Sequence, residues 1–490
     1  MSRKQLDDID IGAAAKTLLG FEHLRPGQEE TIRALLAGQD TVFVAPTGSG
    51  KSAVYQIAGS LKEGTTVIVS PLIALQKDQA ESIAASHLAE PAVVNSTISA
   101  REQRAELDRI ENGNAEFLFL APEQLRKEET LARLKASSVT LFAVDEAHCI
   151  SQWGHDFRPD YLELANVIDA LGHPVTLAMT ATASNDARDE IIHRLRLRNP
   201  RVVVRGFDRP NISLRVDTFG KDAEKLEAVL RRVEFADKPG IVYVATHHHA
   251  ESLAEDLRAR GVEALAYHGG MKAREREAIQ DRFMSGEVPV IVATNAFGMG
   301  VDKPDVRFVF HADVSESLDA YYQEIGRAGR DGEPAEAVLF YRARDISAQR
   351  YKTGAGKVDP QQLESVANVL VNPRSLKTSE GLSRETGISP RKLTNILHKF
   401  EEAGAARKLA SGQIRLESEQ SAAEIAGAAL RQQDVLKDLR SRRLEQMQEY
   451  AEARGCRRAF ILRHFGDDFS GPCGNCDRCE AAAALQLRRA

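Results

Sequence analysis

The stretch "TVFVAPTGSGKS" (residues 41–52) joins an apolar, β-prone segment to a glycine-rich turn that opens a helical pattern. Gly48 and Gly50 allow the backbone to curl so that several N–H groups converge on an anion, helped by the helix N-terminus. Ala45 replaces the glycine of the strict pattern, which removes no phosphate donor. The sequence predicts a nucleotide-phosphate loop formed by Thr47, Gly48, Ser49, Gly50, Lys51 and Ser52, in which Lys51 reaches the β- and γ-phosphates and Ser52 ligates Mg²⁺.

A second motif, "LFAVDEAH" (residues 141–148), ends a buried strand with two adjacent carboxylates. A carboxylate at that position is costly unless it holds a cation, so we predict Asp145 as the magnesium partner. Glu146 is placed to orient the attacking water. The alternative, an acidic turn after a core strand, accounts poorly for two carboxylates in this order.

Positive charge for phosphoryl transfer is predicted from "YYQEIGRAGRDG" (residues 321–332). Arg327 and Arg330 are three residues apart on a helical face, and Gln323 lies one turn earlier. Arginines at this spacing alone are usually surface ion-pair partners. Because they follow a second α/β pattern, we predict that a nucleotide binds between two domains and that these three side chains act in catalysis.

The fold class is predicted to be α/β, with two tandem parallel-sheet domains joined near "GFDRPN" (residues 206–211). Near-continuous apolar strands that alternate with helices favour parallel sheets covered on both faces. The predicted domains are residues 1–205 and 206–345. The predicted strands are "TVFVA" at 41, "TVIVS" at 66, "EFLFLA" at 116, "VTLFAVD" at 139, "VTLAMT" at 175, "GIVYVA" at 240, "VPVIVAT" at 288, "VRFVFH" at 306 and "AEAVLFY" at 335.

Residues 346–420 are predicted to form a winged-helix-like domain. "ISPRKLTNILHKFEEAG" (388–404) has an N-cap at Ser389, Pro390 at the first helical position and an apolar stripe, and "RKLASGQIRL" (407–416) has the pattern of a hairpin. The pattern predicts that four polar residues lie off the stripe, where they could meet DNA phosphates: Arg391, Lys392, Asn395 and Lys399. A solvated helix face explains them equally well.

Four cysteines near the end of the chain predict a helical zinc-binding domain at residues 421–490. Cys456 precedes "GPCGNCDRC", which contains Cys473, Cys476 and Cys479, and four thiolates complete a structural zinc site. His464 is a competing ligand. A redox function of the Cys-x-x-Cys pairs is disfavoured because no thioredoxin-like βαβ context surrounds them.

The composition is that of an ordinary soluble globular protein, with 490 residues and a net charge of −6. No window approaches the roughly 20 uncharged apolar residues of a membrane span, and the N-terminus has no apolar signal segment. These patterns predict a cytoplasmic protein without a membrane partner.

The motifs together resemble the RecQ family of ATP-dependent DNA helicases, in superfamily 2. The resemblance covers residues 18–345 and extends to the cysteine region. Besides the motifs quoted above it rests on "FEHLRPGQEE", "SPLIALQKDQ", "DEAHCISQWGHDFRPDY", "MTATA", "VYVAT", "AYHGGM" and "VATNAFGMGVDKPDVRFVFH". It implies two RecA-like motor domains.

The resemblance also implies roles for further residues. Phe21, Arg25 and Gln28 fall where the family grips adenine. The loop of Trp153, His155, Phe157 and Arg158 falls where the family couples single-stranded DNA to hydrolysis, and its aromatic and cationic side chains suit base stacking. Thr180 and Thr182 match the block that links hydrolysis to domain movement, and the block between ATP and the DNA backbone contains Thr294, Gly298, Gly300 and Asp302.

By resemblance, the chain is expected to use ATP, Mg²⁺ and Zn²⁺, to move 3′ to 5′ on single-stranded DNA and to unwind duplex or branched DNA in repair and recombination. Single-strand-binding protein, other repair factors and the nucleoid are the partners and location that the family implies. In the usual family layout the zinc region precedes the winged helix, whereas here it follows. Two alternatives are an RNA helicase or double-strand translocase, and a non-catalytic ATP-sensing DNA-binding regulator that uses the winged helix and the zinc module.

Overall fold

The structure is a computed structural model that describes residues 9–46, 48–71, 73–85, 90–151, 159–298, 303–354, 358–372, 377–408, 412–416, 420–467 and 469–487. The chain forms two compact units. Residues Met1–Ala343 and Met447–Ala490 form the first, which we call the motor unit, and Arg344–Gln446 form the second. In the described residues no helix combines the length and apolar character needed to cross a membrane.

The first sheet of the motor unit has seven parallel strands in the order β3-β4-β2-β5-β6-β1-β7. Strand β1 therefore lies beside β6, whose other neighbour is β5. The strands are β1 Thr41–Val44, β2 Thr65–Val69, β3 Pro91–Val94, β4 Phe117–Leu120, β5 Val139–Val144, β6 Val175–Thr180 and β7 Arg201–Val204. The α-helices between and before them are Ile11–Leu19, Gln28–Leu36, Lys51–Ser60, Ile73–Ala85, Ala100–Glu111, Glu128–Ala136, Leu164–Ala170 and Asn185–Arg194, with 3₁₀ turns at Pro122–Arg126, Ala147–Ile150 and Pro159–Glu163.

The second sheet has six parallel strands in the order β10-β11-β9-β12-β13-β8. These strands are β8 Ile212–Thr218, β9 Gly240–Tyr243, β10 Ala264–Tyr267, β11 Val290–Ala293, β12 Phe308–His311 and β13 Ala335–Tyr341. Its α-helices are Asp222–Phe235, His247–Ala259, Ala273–Met284 and Leu318–Ile325.

The α/β fold class with two parallel-sheet domains is confirmed, and so are the nine predicted strands. Four strands were not predicted: β3, β7, β8 and β10. They form the two edges of each sheet. In each of these strands at least one residue is only partly buried, whereas central strands such as β1 and β9 are buried at every residue.

The last part of the chain belongs to the motor unit. Helices Arg457–His464 and Asp477–Leu487 pack along β8, where Leu214 forms a parallel bridge with Cys476 and its N–H donates to the carbonyl of Asn475 at 3.3 Å. The helix Ala422–Glu452 crosses from one unit to the other at residue 446. The compact units divide inside this helix, and the domain boundary predicted at residue 421 stays a prediction.

The unit Arg344–Gln446 contains the helix, turn, helix and hairpin expected of a winged helix. Its elements are helix Ala343–Gly354, Pro360–Val371, Ser379–Thr386, Pro390–Glu402, the antiparallel strands β14 Ala406–Lys408 and β15 Ile414–Leu416, and most of Ala422–Glu452. Ser389 occupies the N-cap position, as predicted, although its side chain makes no capping hydrogen bond.

One residue of this unit differs from expectation. The sequence pattern predicts Lys399 off the apolar stripe, but Lys399 is buried and forms an ion pair with Glu402. Ile396 lies three residues earlier on the same helix and is fully buried, so Lys399 shares its face and cannot present its ammonium to a phosphate. Arg391 and Lys392 are exposed.

Replacing Phe400 should destabilise the unit Arg344–Gln446. Phe400 is fully buried in a core with Leu393, Leu382 and Val366. We expect Phe400→Ala to lower the free energy of unfolding of this unit by about 3–5 kcal/mol, because a large cavity replaces the ring. Hydrogen exchange of the full chain should show lost protection in this unit. His398→Ala, an exposed position on the same helix, is the control, and equal protection in the two variants would contradict the assigned core.

Candidate functional site

The loop that follows β1 has the geometry of a phosphate cradle. Strand β1 ends at Val44 and the next helix begins at Lys51. Gly48 and Gly50 have φ angles of 79° and 73°, in the left-handed region that favours glycine. The N-terminus of the helix therefore opens into the loop, where N–H groups and the helix dipole favour a bound phosphate.

Two side chains hold this loop from outside. The Arg25 guanidinium donates a hydrogen bond to the carbonyl of Gly48. The amide nitrogen of Gln28 donates to the carbonyls of Ser49 at 3.1 Å and Gly50 at 2.8 Å, and its oxygen accepts from the Arg25 N–H at 2.8 Å. Gln28 is only 2% exposed. Its predicted two-point contact with adenine stays a prediction, because in this structure its amide is engaged by the loop.

Lys51 points back into the loop. Its ammonium donates to the carbonyls of Ala45 at 3.0 Å and Pro46 at 3.3 Å. Burial lowers the pKa of Lys51, and the positive charge of Arg330 adds to this effect, while Glu146 and Asp145 oppose it. The lysine is thus held next to both carboxylates and to an arginine of the second sheet domain.

The carboxylates follow β5, as expected. Burial, and after it the neighbouring charge of Glu146, raise the pKa of Asp145 to about 7 against the lowering effect of Lys51. Asp145 Oδ1 accepts a hydrogen bond from the Glu146 N–H at 3.0 Å. Two carboxylates buried this close together favour a divalent cation, so the residues fit Mg²⁺, with Asp145 and Ser52 as the candidate ligands.

Glu146 is connected to the "MTATA" segment through His148. His148 Nδ1 lies 3.3 Å from Glu146 Oε2 and 2.9 Å from Thr180 Oγ1. The Thr180 hydroxyl in turn donates to the carbonyl of Thr182 at 3.0 Å. A polar path therefore runs from the predicted water-orienting carboxylate to the segment that follows β6.

The arginines of the second sheet domain reach the same cavity. A cavity of about 650 Å³ is lined by Lys51, Ser52, Asp145, Glu146, Gly298, Gln323, Arg327 and Arg330, together with Phe21, Arg25, Gln28, Gly48 and Gly50. Arg330 lies against the loop: a Cβ atom added to Gly48 would be 3.7 Å from its Cδ. Arg327 is 4% exposed and lies beside Gly298, while Phe21 remains 42% exposed at the rim of the cavity.

Several cavity residues were missed by the sequence reasoning. Tyr55 and Gln56 come from the helix that begins at Lys51, and Asp78 and Gln79 come from the helix in "SPLIALQKDQ". The Tyr55 hydroxyl donates to Gln79 Oε1 at 3.0 Å. The available signal was helical spacing: Ser52 and Tyr55, and Leu75, Asp78 and Gln79, are three or four residues apart and so share a face.

Of the remaining predicted site residues of the motor unit, the structure describes one and leaves the others outside its described ranges. Thr294 is buried at the end of β11. Other predicted residues lie outside the part of the chain that the structure describes, namely Thr47, Trp153, His155, Phe157, Arg158, Gly300 and Asp302.

The four terminal cysteines converge. The Sγ atoms of Cys456, Cys473, Cys476 and Cys479 all lie within 4.8 Å of one another, and those of Cys473 and Cys479 are 3.9 Å apart. Tetrahedral zinc with Zn–S bonds of about 2.3 Å requires S–S distances of about 3.8 Å, so the four thiols fit a Cys₄ zinc site. The competing ligand His464 lies outside this cluster, with its Nε2 3.0 Å from Asp319 Oδ2.

Comparison with known proteins agrees with this geometry. The family described as DEAD/DEAH box helicase matches residues 25–191, helicase conserved C-terminal domain matches 223–332, and RecQ zinc-binding matches 415–480. The chain is 34% identical to the probable ATP-dependent DNA helicase RecS of Bacillus subtilis over 94% of this chain and 89% of that one. The chain belongs to the RecQ family of ATP-dependent DNA helicases.

Other relatives differ in length or only share the fold. The ATP-dependent DNA helicase RecQ of Pasteurella multocida is 36% identical over 94% of this RecQ-family chain, which spans 61% of the length of that relative. The crystal structure of the DUF1998 helicase MrfA bound to DNA superposes with a TM-score of 0.58 over 85% of this chain and 63% of that one. Because its sequence is only 16% identical, the MrfA structure shows a shared fold alone.

Buried polar contacts hold the zinc module of this RecQ-family chain, which we define as residues 447–487, on the second sheet domain. The Arg457 guanidinium is fully buried and donates to both carboxylate oxygens of Asp477, at 3.1 and 3.2 Å. Arg458 donates to Asp208 at 2.6 Å and to the carbonyl of Ile212 at 2.7 Å. Arg457 thus fixes the helix Asp477–Leu487 within the module, and Arg458 fixes the module to the motor.

The raised pKa of Asp145 predicts that, in the absence of magnesium, this carboxyl makes the folded chain less stable at high pH than at low pH. The carboxyl has an ordinary pKa of 3.8 and one of about 7 in the folded chain, so folding takes up a proton between these pH values. The free energy of unfolding therefore falls as pH rises from about 4 to about 7, and the full loss is present above pH 7. Asp145→Asn should therefore raise the melting temperature at pH 8 in magnesium-free buffer, and the gain should shrink toward pH 5.

Differential scanning fluorimetry at both pH values measures this gain. Asp78→Asn, at an exposed carboxylate lining the same cavity, is the control. A gain that is equal at the two pH values, or larger at pH 5, would contradict the assignment.

Replacing one cysteine of the cluster should release the metal. We expect Cys476→Ser to reduce zinc from about one equivalent per chain to a small fraction and to lower the melting temperature, because a structural site contributes to folding. Metal content is measured by inductively coupled plasma mass spectrometry. Cys149→Ser, at a buried cysteine outside the cluster, should keep its zinc; loss of zinc from both variants would argue against the four-thiol site.

Proposed function

We propose that this RecQ-family helicase uses ATP hydrolysis to move 3′ to 5′ on single-stranded DNA and to separate duplex or branched DNA in repair and recombination. The observation that carries the proposal is the shared cavity: the phosphate loop and carboxylates of the first sheet domain face Arg327 and Arg330 of the second. A nucleotide bound there contacts both domains at once, so its binding and hydrolysis change the relation between them.

Each side chain of the cavity has a proposed part in hydrolysis. Lys51 moves its ammonium from the loop carbonyls to the β- and γ-phosphates, and Ser52 and Asp145 hold Mg²⁺. When bound, Mg²⁺ neutralises phosphate charge. Glu146 orients the attacking water, while Arg327 and Arg330 stabilise the charge that develops on the γ-phosphate. Gln323, on the helix before the arginines, contacts the same phosphate.

Base recognition is proposed for the outer rim of the cavity. Phe21 is exposed there and offers a face on which adenine can stack. Arg25 lines the same cavity and contacts Gly48. In this arrangement Gln28 supports the loop, and it contacts the base only if its amide leaves the loop carbonyls.

DNA binding is proposed for two regions. The loop that contains Trp153, His155, Phe157 and Arg158 stacks single-stranded bases directly after the catalytic carboxylates, so that DNA binding reaches Glu146 through a short length of chain. In the unit Arg344–Gln446, exposed Arg391 and Lys392 contact backbone phosphates, which would make binding dependent on salt. Cytoplasmic, nucleoid-associated action with single-strand-binding protein and other repair factors is part of the same proposal.

A non-catalytic ATP-sensing regulator is not favoured. Such a protein needs a nucleotide pocket but not a water-orienting carboxylate beside two arginines from the opposite domain. Here Glu146, Arg327 and Arg330 line one cavity with Lys51. The complete set of hydrolytic groups favours an active ATPase.

The central test is Lys51→Ala in the full chain. Removing the ammonium should lower DNA-stimulated ATP hydrolysis by about 100-fold or more and abolish unwinding, because charge stabilisation at the transferred phosphate is lost. Binding to single-stranded DNA should persist. Lys127→Ala, which removes an exposed lysine that donates to Gln103, is the control. Unwinding by Lys51→Ala at the wild-type rate would refute the mechanism.

Direction and substrate are tested with the wild-type protein. We expect unwinding of 3′-tailed and forked duplexes but not of 5′-tailed ones, and stimulation of hydrolysis by single-stranded DNA above that by RNA. Equal stimulation by RNA would favour the RNA-helicase alternative, and hydrolysis that depends on duplex DNA would favour a double-strand translocase.

A further inference from the structure

The segment Phe207–Asn211, which joins the two sheet domains, contacts the turn that carries Arg327 and Arg330. The Arg209 guanidinium donates to the carbonyl of Gly326 at 3.0 Å and to those of Ala328 and Gly329 at 2.8 and 2.9 Å. Gly326 is the C-cap of the helix Leu318–Ile325. One planar guanidinium thus binds three backbone oxygens of the same turn. The turn follows a helix C-terminus, where a positive charge is favoured.

A second side chain of the segment completes the contact. Asn211 Nδ2 donates to the carbonyls of Gly329 at 2.8 Å and Glu333 at 2.9 Å. Gly329 has a φ of 55°, and a Cβ atom there would lie 2.5 Å from this amide nitrogen. The turn therefore needs glycine at position 329, because Asn211 occupies the space where a side chain would begin.

The other face of the same segment is held by the zinc module. The ring of Phe207 stacks on Phe465 with centroids 4.6 Å apart, and Asp208 accepts from Arg458. The carbonyl of Pro210 accepts from Asn475 at 2.9 Å. Phe207, Asp208 and Pro210 are thus anchored on the module, while Arg209 and Asn211 reach the arginine turn.

We propose that Arg209 is a positioning residue for ATP hydrolysis, which fixes the turn so that Arg327 and Arg330 meet the γ-phosphate. The proposal rests on the hydrolytic role proposed above for those two arginines. Arg209 does not line the nucleotide cavity, whereas both turn arginines do. Its substitution should therefore change the rate of the chemical step and leave ATP binding nearly unchanged.

The expected size of the effect follows from geometry. Without the guanidinium, the three carbonyls lose their common donor and the turn can shift by a fraction of an ångström or more. Displacements on the order of 1 Å can reduce catalysis by about 100-fold. We expect Arg209→Ala to lower the kcat of DNA-stimulated ATP hydrolysis by about 10- to 100-fold, with KM for ATP within about threefold of the wild-type value.

The test uses steady-state kinetics of the full-length chain at saturating single-stranded DNA. Arg260→Ala is the matched control, because it removes an arginine of the same sheet domain whose partner is the exposed Glu227. Arg209→Lys keeps a positive charge on a flexible stem but cannot bind three carbonyls in one plane, so it should show most of the kcat loss even if Arg209→Ala does not fold.

A double-mutant cycle separates positioning from a general loss of structure. If Arg209 acts through the turn, Arg209→Ala should cost less kcat in the Arg330→Ala chain, where only Arg327 remains to be displaced, than in the wild-type chain, so that the two losses do not multiply. Multiplicative losses, or a kcat of Arg209→Ala or Arg209→Lys within about twofold of wild type, would overturn the inference. If wild-type protein itself fails to hydrolyse ATP, the proposed function fails instead, and the two failures are distinguishable.

Discussion

The concentration of buried charge in one cleft is the constraint on which the rest of this structure depends. Lys51, Asp145 and Glu146 come from the first sheet domain, and Arg330 comes from the second. Burial lowers the pKa of Lys51 and raises the pKa of Asp145, and the charge of each of these two residues partly opposes the shift of the other. An ATP-magnesium complex adds phosphate charge beside the lysine and arginine and a cation beside the carboxylates. The ligand therefore improves the electrostatic balance of the closed cleft, which gives a physical reason for nucleotide state to control domain closure.

The parts of the fold that were predictable from sequence are those where burial dominates. The nine predicted strands have near-continuous apolar runs, whereas the four missed strands are the sheet edges. In β8, for example, buried residues alternate with partly buried ones along "ISLRVDT", so that the sequence has an alternation and no apolar run. Strand β3, "PAVV", is apolar but only four residues long and half of it is partly buried. The boundary between units at residue 446 was also hidden. It falls inside the helix Ala422–Glu452, and a continuous helix carries no breaker residue that would indicate where its packing partner changes.

The site was predictable where the order of parallel strands brings the residues that follow those strands together. It was less predictable where a side chain binds a carbonyl or carboxylate that is distant in sequence or on another turn. Strands β1 and β5 both flank β6 and run parallel to it. Lys51 and Asp145, which follow these two strands, therefore lie close together at the carboxyl ends of the strands. The four cysteines were likewise fixed by spacing. No pattern, however, indicates that Gln28 donates to two loop carbonyls, that Lys399 turns to Glu402, or that Arg209 binds three carbonyls more than a hundred residues away. These contacts depend on tertiary proximity, which a single sequence does not encode locally.

The order of the last two regions along the chain also has an energetic consequence. The zinc module packs on β8 in the motor unit although the whole unit Arg344–Gln446 separates them in sequence. Closing such a loop costs chain entropy, but each doubling of its length adds only about 0.6 kcal/mol, so an insertion of this size is tolerated. The stronger requirement is that two buried arginines find partners: Arg458 pairs with Asp208 across the docking surface, and Arg457 pairs with Asp477 within the module. A zinc ion bound by the four thiols would hold Cys456 and Cys476 together, and these residues adjoin Arg457 and Asp477. Metal binding would then order the surface that docks, and its free energy would help offset the entropy of bringing the end of the chain back to the motor.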